Sequence, residues 1–199
     1  LLTFLCIGAE PVFEKELLFV RPKQEDHYRV PRIFQNKSGT IVVSSTLKLG
    51  HMRDAGGVDE TNYKISDDGG KTWVNTKDYR MADVLDEQTG ALFNITHHWP
   101  MEDDSGKAMT EAWMINNPQK GIELGAWMKI GSSKDGGKNW QEVDVTERFF
   151  TYPDMGLAWF IGHGIQLKKG PFAGRLIIPG RYFGKKWQKV GPDAHRSEE

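Results

Sequence analysis

Side chains able to bind or transfer charge gather at three places in the sequence. Arg29 stands in Tyr28-Arg29-Val30-Pro31. A guanidinium offers a planar fork of donors suited to a carboxylate, but an arginine beside a proline can equally be an ordinary surface residue. Arg53-Asp54-Ala55-Gly56-Gly57-Val58-Asp59 places one aspartate inside a glycine-rich stretch and a second where that stretch leads into a strand. Either carboxyl can take part in proton transfer, and either can simply cap a turn. The third place is His97-His98 followed by Met101-Glu102-Asp103-Asp104. These are metal-ligating residue types, yet neighbours on a strand point to opposite faces, so the two imidazoles do not readily chelate one ion. No metal site is assigned.

Elements that could position these groups are strands. No long stretch carries an apolar period of 3.6, so no helix is assigned. Instead, three segments repeat one form, a turn residue and glycine feeding an apolar run: Ser38-Gly39-Thr40-Ile41-Val42-Val43, Thr89-Gly90-Ala91-Leu92-Phe93 and Ala173-Gly174-Arg175-Leu176-Ile177-Ile178. Each predicts a hairpin turn entering a largely buried strand. A second element repeats more closely. Ser66-Asp67-Asp68-Gly69-Gly70-Lys71-Thr72-Trp73 and Ser133-Lys134-Asp135-Gly136-Gly137-Lys138-Asn139-Trp140 both fit S-x-D-x-G-x-x-W, 67 residues apart. Aspartate accepting backbone N–H groups and glycine at positive φ predict a tight hairpin, with tryptophan covering it from the next strand. Repetition at tens of residues predicts repeated sheet units, such as propeller blades.

Bulk properties agree with sheets and exclude some roles. The chain has 199 residues, 38% of them hydrophobic, with 22 glycines, 9 prolines and 7 tryptophans. Its 26 basic and 27 acidic residues leave a formal net charge of −1, which argues against nucleic-acid or membrane-surface partners recruited by bulk electrostatics. The one cysteine, Cys6, lies in Leu1-Leu2-Thr3-Phe4-Leu5-Cys6-Ile7, followed by Gly8-Ala9. That run is too short to span a bilayer. Residues 1–9 read as the tail of a signal peptide with small residues at the cleavage site, an apolar first strand being the other reading. A secreted or periplasmic location follows from the first. Asn36-Lys37-Ser38 and Asn94-Ile95-Thr96 also fit the glycosylation pattern.

Together these motifs resemble the sialidase (neuraminidase) family. S-x-D-x-G-x-x-W is similar to that family's Asp-box. Tyr28-Arg29-Val30-Pro31 resembles its R-I-P motif, with valine for isoleucine, and Gly162-His163-Gly164-Ile165-Gln166-Leu167 followed by Gly174-Arg175-Leu176-Ile177-Ile178-Pro179 resembles its G-x-G-I-Q-L and G-R-L-x-x-P stretch. The resemblance covers roughly residues 25–182, in the family's order. It implies an all-β fold, a six-bladed β-propeller of which residues 10–199 supply about the first three blades. The Asp-boxes would lie on its rim, away from the active site.

The resemblance also implies a role for each charged place. Arg29 matches the first of three arginines that hold the carboxylate of a sialic acid. Asp54 matches the general acid/base and is preferred to Asp59, which leads into the strand. Arg53 is expected to contact the sugar or the acid, although the family's second loop arginine commonly lies a few residues earlier, where Lys48 and His51 stand here. Asp103, or Glu102, is expected to reach polar groups of the sugar from a loop after the strand Leu92-Phe93-Asn94-Ile95, a solvated acidic loop being the other reading. Sialidases add a tyrosine nucleophile activated by a glutamate, both from later blades. The implied activity is retaining exo-sialidase action on sialylated glycans, with no cofactor and no membrane span; the alternative is a non-catalytic propeller that binds glycans or proteins. Trp113, Trp127 and Trp159 can stack on sugars or pack between sheets.

Overall fold

A computed structural model describes residues 15–52, 59–98, 100, 117–150, 158–160 and 162–182. The architecture is all-β and antiparallel. The first sheet contains β1 (His27–Gln35), β2 (Ile41–Lys48), β3 (Asp59–Ser66) and β4 (Val74–Thr76), paired in chain order. The second repeats this meander with β5 (Val84–Leu85), β6 (Leu92–His98), β7 (Trp127–Ser133) and β8 (Gln141–Asp144). In a third unit, β9 (Ala158–Phe160) pairs with β12 (Gly180–Tyr182), and β10 (Ile165–Gln166) pairs with β11 (Leu176–Ile177). The third unit therefore reads as one interrupted hairpin. Among the described residues are also two short helices that the apolar pattern does not predict, α1 (Pro118–Glu123) and α2 (Thr146–Phe150). At six and five residues they are too short to register a helical period.

The apolar pattern explains the stacking. β2 is nearly enclosed along its length, as expected of the run Ile41-Val42-Val43 in an inner strand. Phe34, Val42 and Leu92 meet Tyr79, Met81 and Ala82 between the first two sheets, with Tyr63, Ile65, Leu85 and Trp140 packed around them. Leu92 has no exposed surface, and truncating it to alanine would cost about 2–5 kcal/mol.

All three glycine-led turns form as expected, joining β1 to β2, β5 to β6 and β10 to β11. Gly39, Gly90 and Gly174 take φ of 95°, 80° and 89°. The strands they feed differ: β2 is buried and β6 half-buried, with Leu92 and Asn94 enclosed, whereas Ile177 on β11 is 43% exposed. Among the described residues no strand lies outside β11 in its pair. The turns also interlock. Asn36 Nδ2 donates to the Gly136 carbonyl at 3.4 Å, and Lys37 Nζ to the Gln88 carbonyl at 3.3 Å. Gln166, from the G-x-G-I-Q-L stretch, donates to Asp86 at 2.7 Å and accepts from the Glu87 N–H at 2.9 Å. The three turns and the second S-x-D-x-G-x-x-W hairpin thus share one end of the molecule.

Both S-x-D-x-G-x-x-W segments close the third-to-fourth-strand connection of a sheet, with matching bonds. Asp68 Oδ1 accepts from Ser66 Oγ (2.8 Å) and the Lys71 and Thr72 N–H groups (3.0 and 2.9 Å). Asp135 Oδ1 accepts from Ser133 Oγ (2.8 Å) and the Asn139 N–H (2.9 Å). Trp140 Nε1 then donates to the Gly137 carbonyl at 2.8 Å, laying its ring over the turn. The Thr72 hydroxyl, donating to Asp68 Oδ2 at 2.7 Å, and then these donors hold the Asp68 carboxyl far below the ordinary aspartate range; Asp135, held chiefly by the Asn139 N–H and side chain and by Ser133, is lowered to about 2.

Because the folded value of Asp135 lies below the ordinary 3.8, its contribution is complete above about pH 4 and is lost as the pH falls through about 2. Hydrogen exchange at the Asn139 amide should show protection that weakens across this window in the native protein. In D135N it should be weak at neutral pH and lack that dependence; equal protection in the two proteins would contradict the carboxylate's role.

Candidate active site

The turns occupy one end of the sheets, so Arg29, the end of β2, the start of β3, the end of β6 and the start of β7 lie at the other. Arg29 is near the start of β1, opposite Thr46. Its Nη1 donates to the Met52 carbonyl at 2.8 Å, where the chain enters the glycine-rich stretch. Its own carbonyl accepts from Ser45 Oγ at 3.0 Å. The pairing of β1 with β2 slips between Arg29 and Arg32: Arg29 faces Thr46 and Arg32 faces Ser44, so Val30 and Pro31 together oppose Ser45. That bulge changes which way the arginines point. Three residues apart on a regular strand they would face opposite sides; with one extra residue they share a face.

Arg32 uses that face to reach the second sheet. Its guanidinium contacts Asp83 Oδ1 and donates to the Ala82 carbonyl at 3.3 Å. Asp83 Oδ2 accepts from the Ile95 N–H at 2.7 Å, and the Asp83 carbonyl accepts from the Gly164 N–H at 2.6 Å. Burial raises the Asp83 carboxyl above its ordinary value, opposed by the Ile95 N–H, Arg32 and His163. Gly164 admits no side chain here, since a Cβ would stand 2.5 Å from the Ile177 carbonyl oxygen. A cavity of about 160 Å³ adjoins this junction, lined in part by Gln35, Asp83 and His163.

A second charged group closes the neck of the β2–β3 connection. Lys48, buried, pairs with its register partner Asp59 at 2.5 Å, and His51 Nε2 lies 3.2 Å from the other Asp59 oxygen. Asp26 Oδ1 accepts from the Gly50 N–H at 3.0 Å.

Known proteins similar to this chain in sequence or fold point one way. No family model matches the chain. A curated sialidase from Micromonospora viridifaciens is 26% identical over 185 residues, 85% of this chain and 27% of its own length. Among solved structures, a Hadza microbial sialidase superposes with a TM-score of 0.56 at 18% identity, covering 80% of this chain and 33% of that one. An intramolecular trans-sialidase from Ruminococcus gnavus gives 0.53 at 16% identity, over 78% and 56%. A leech intramolecular trans-sialidase gives 0.57 at 12% identity, over 87% and 43%. The relatives are sialidases. This chain thus resembles a sialidase in sequence and fold, and spans about a quarter of the length of the curated one.

Of the residues assigned to sialoside chemistry, Arg29 is described and stands at the end of the sheet where the glycine-rich stretch begins. Arg53, Asp54 and Asp103 lie outside the described residues, in the β2–β3 and β6–β7 connections. Asp59, weighed against Asp54, is engaged by Lys48 and His51, as an ion-pair partner rather than a carboxyl held ready for proton transfer. His97 is largely buried, and burial pushes its imidazole down, while His98 stacks on Trp127 at 6.0 Å on the opposite face. Lys129 Nζ stands 4.7 Å from the Trp127 ring centre, so that indole is committed to its own sheet. Asn36 and Asn94 are buried and bonded internally, which removes both glycosylation candidates. Among the described residues no helix is long and apolar enough to cross a membrane. Arg32 and Asp83 stand in no motif of the sequence; the one signal of their pairing is Pro31 inside a strand, which marks a bulge.

Arg32→Met in the intact protein would leave the Asp83 carboxylate buried without its cation. The expected cost is about 3–5 kcal/mol at pH 7. Since burial has already raised the Asp83 carboxyl, and losing Arg32 raises it further, the deficit should shrink as the pH falls and the carboxyl takes up a proton. Urea denaturation from pH 7 downward measures this; a deficit independent of pH would show that the buried charge is not its cause.

Proposed function

We propose that this chain forms the opening sheets of a secreted or periplasmic six-bladed sialidase propeller, beginning after a signal peptide at residues 1–9, and that the whole protein is a retaining exo-sialidase. The observation that carries the reading is the position of Arg29. It sits on the sheet end opposite the turns, with its guanidinium against the chain leading into Arg53-Asp54. The S-x-D-x-G-x-x-W hairpins lie at the other end, as Asp-boxes would on a rim.

In this reading Arg29 grips the carboxylate on the anomeric carbon of a terminal sialic acid through charge-assisted hydrogen bonds. Asp54 gives its proton to the glycosidic oxygen as the bond to the anomeric carbon breaks, and later takes one from the attacking water. A neutral tyrosine hydroxyl, supplied by later sheets, passes its proton to a glutamate as its oxygen bonds to the anomeric carbon without repulsion from the substrate carboxylate, and the water then displaces it. Arg53 and Asp103 contact the sugar, and two further arginines complete the carboxylate site.

The test is release of sialic acid from a fluorogenic sialoside by the intact parent protein. Asp54→Asn should lower kcat by about 10²–10⁴-fold, and Arg29→Lys should mainly raise KM, by about ten- to a hundredfold, because an ammonium cannot reproduce the fork. No release by the intact parent across several pH values and linkages would favour a glycan-binding propeller without catalysis.

A further inference from the structure

Among the described residues Val30 is the one non-glycine with positive φ, at 54°. For a β-branched residue this is a strained conformation that the surroundings must enforce. Every other positive-φ position described is a glycine. Its side chain is half exposed, so what enforces the conformation lies along the neighbouring backbone. Pro31 follows, with φ fixed by its ring and no N–H to leave unpaired in the bulge. Ser45, the β2 residue opposite the bulge, turns its hydroxyl to the Arg29 carbonyl at 3.0 Å. Arg32, the first residue back in register, is anchored to Asp83 of the next sheet. Strain so thoroughly braced, and placed directly after the arginine that faces the sheet end, has a consequence for that arginine: the extra residue sets the side to which Arg29 points.

We propose that Val30, braced by Ser45, is a positioning residue for anion recognition by Arg29. It holds the guanidinium on the face it shares with Arg32 because, pinned at positive φ between the Ser45-bonded Arg29 carbonyl and Pro31, it supplies the extra residue of the bulge. Glycine could adopt the same φ without strain, and could equally leave it. The inference rests on the assignment of Arg29 to the substrate carboxylate made above.

Val30→Gly in the intact protein separates this role from a structural one. Relief of strain should leave the thermal midpoint unchanged or raise it. Meanwhile KM for a sialoside should increase about tenfold with kcat within about twofold, because uniform binding is lost rather than transition-state stabilisation. Ser45→Ala, which removes only the bracing hydroxyl, should raise KM in the same sense and serves if the glycine variant is unstable. Unchanged KM in a folded variant, with the native protein active, overturns the inference and leaves the function standing. Absence of sialoside turnover by the native protein overturns both.

Discussion

One buried aspartate ties together the strand units that are described. The Asp83 carboxylate meets Arg32 of the first sheet and the Ile95 N–H of its own, while its main chain bonds Phe93 and, just before β10, Gly164 of the third unit. A charge so enclosed is tolerated only because its oxygens have partners, and each contact of this residue fixes something else. Arg32 fixes where β1 regains its register after the bulge. The Ile95 N–H seats β5 against β6, and Gly164 brings the third unit close enough that no side chain fits there. Position of the sheet end bearing Arg29 is thus a by-product of how the units are joined.

The first sheet is divided along its strands in a way that suits this arrangement. On the face turned to the second sheet, the half near the turns is apolar, with Phe34, Val42 and Ile65 in register. The other half carries Arg29, Thr46, Lys48, Asp59 and Thr61. Apolar burial at one end stabilises the stack, while charged groups at the other are satisfied in pairs. The engagement of Asp59 by Lys48 and His51 follows from this division, for Lys48 lies directly opposite Asp59 and is too enclosed to go unpaired.

Sequence alone made the local devices legible. The S-x-D-x-G-x-x-W segments and the glycine-led turns use short-range chemistry, an aspartate accepting nearby N–H groups and a glycine at positive φ, so residue types and spacing sufficed. Likeness to sialidases was legible for the same reason, through motifs that keep their order. What could not be read were relations between distant strands. Arg32 meets Asp83 across 51 positions of sequence, and the parity that brings it there depends on an insertion hidden in Val30-Pro31. The short helices α1 and α2 escaped because one turn of helix leaves no periodic signature.

The central claim is that Arg29 recognises a carboxylate, and calorimetric titration of the intact native protein with a sialic acid analogue and with its C1 amide tests it most directly. The account predicts measurable binding of the acid, at least about tenfold weaker binding of the amide, and loss of that difference in Arg29→Gln. Equal affinity for acid and amide in the native protein, or a preference that survives the substitution, would contradict it.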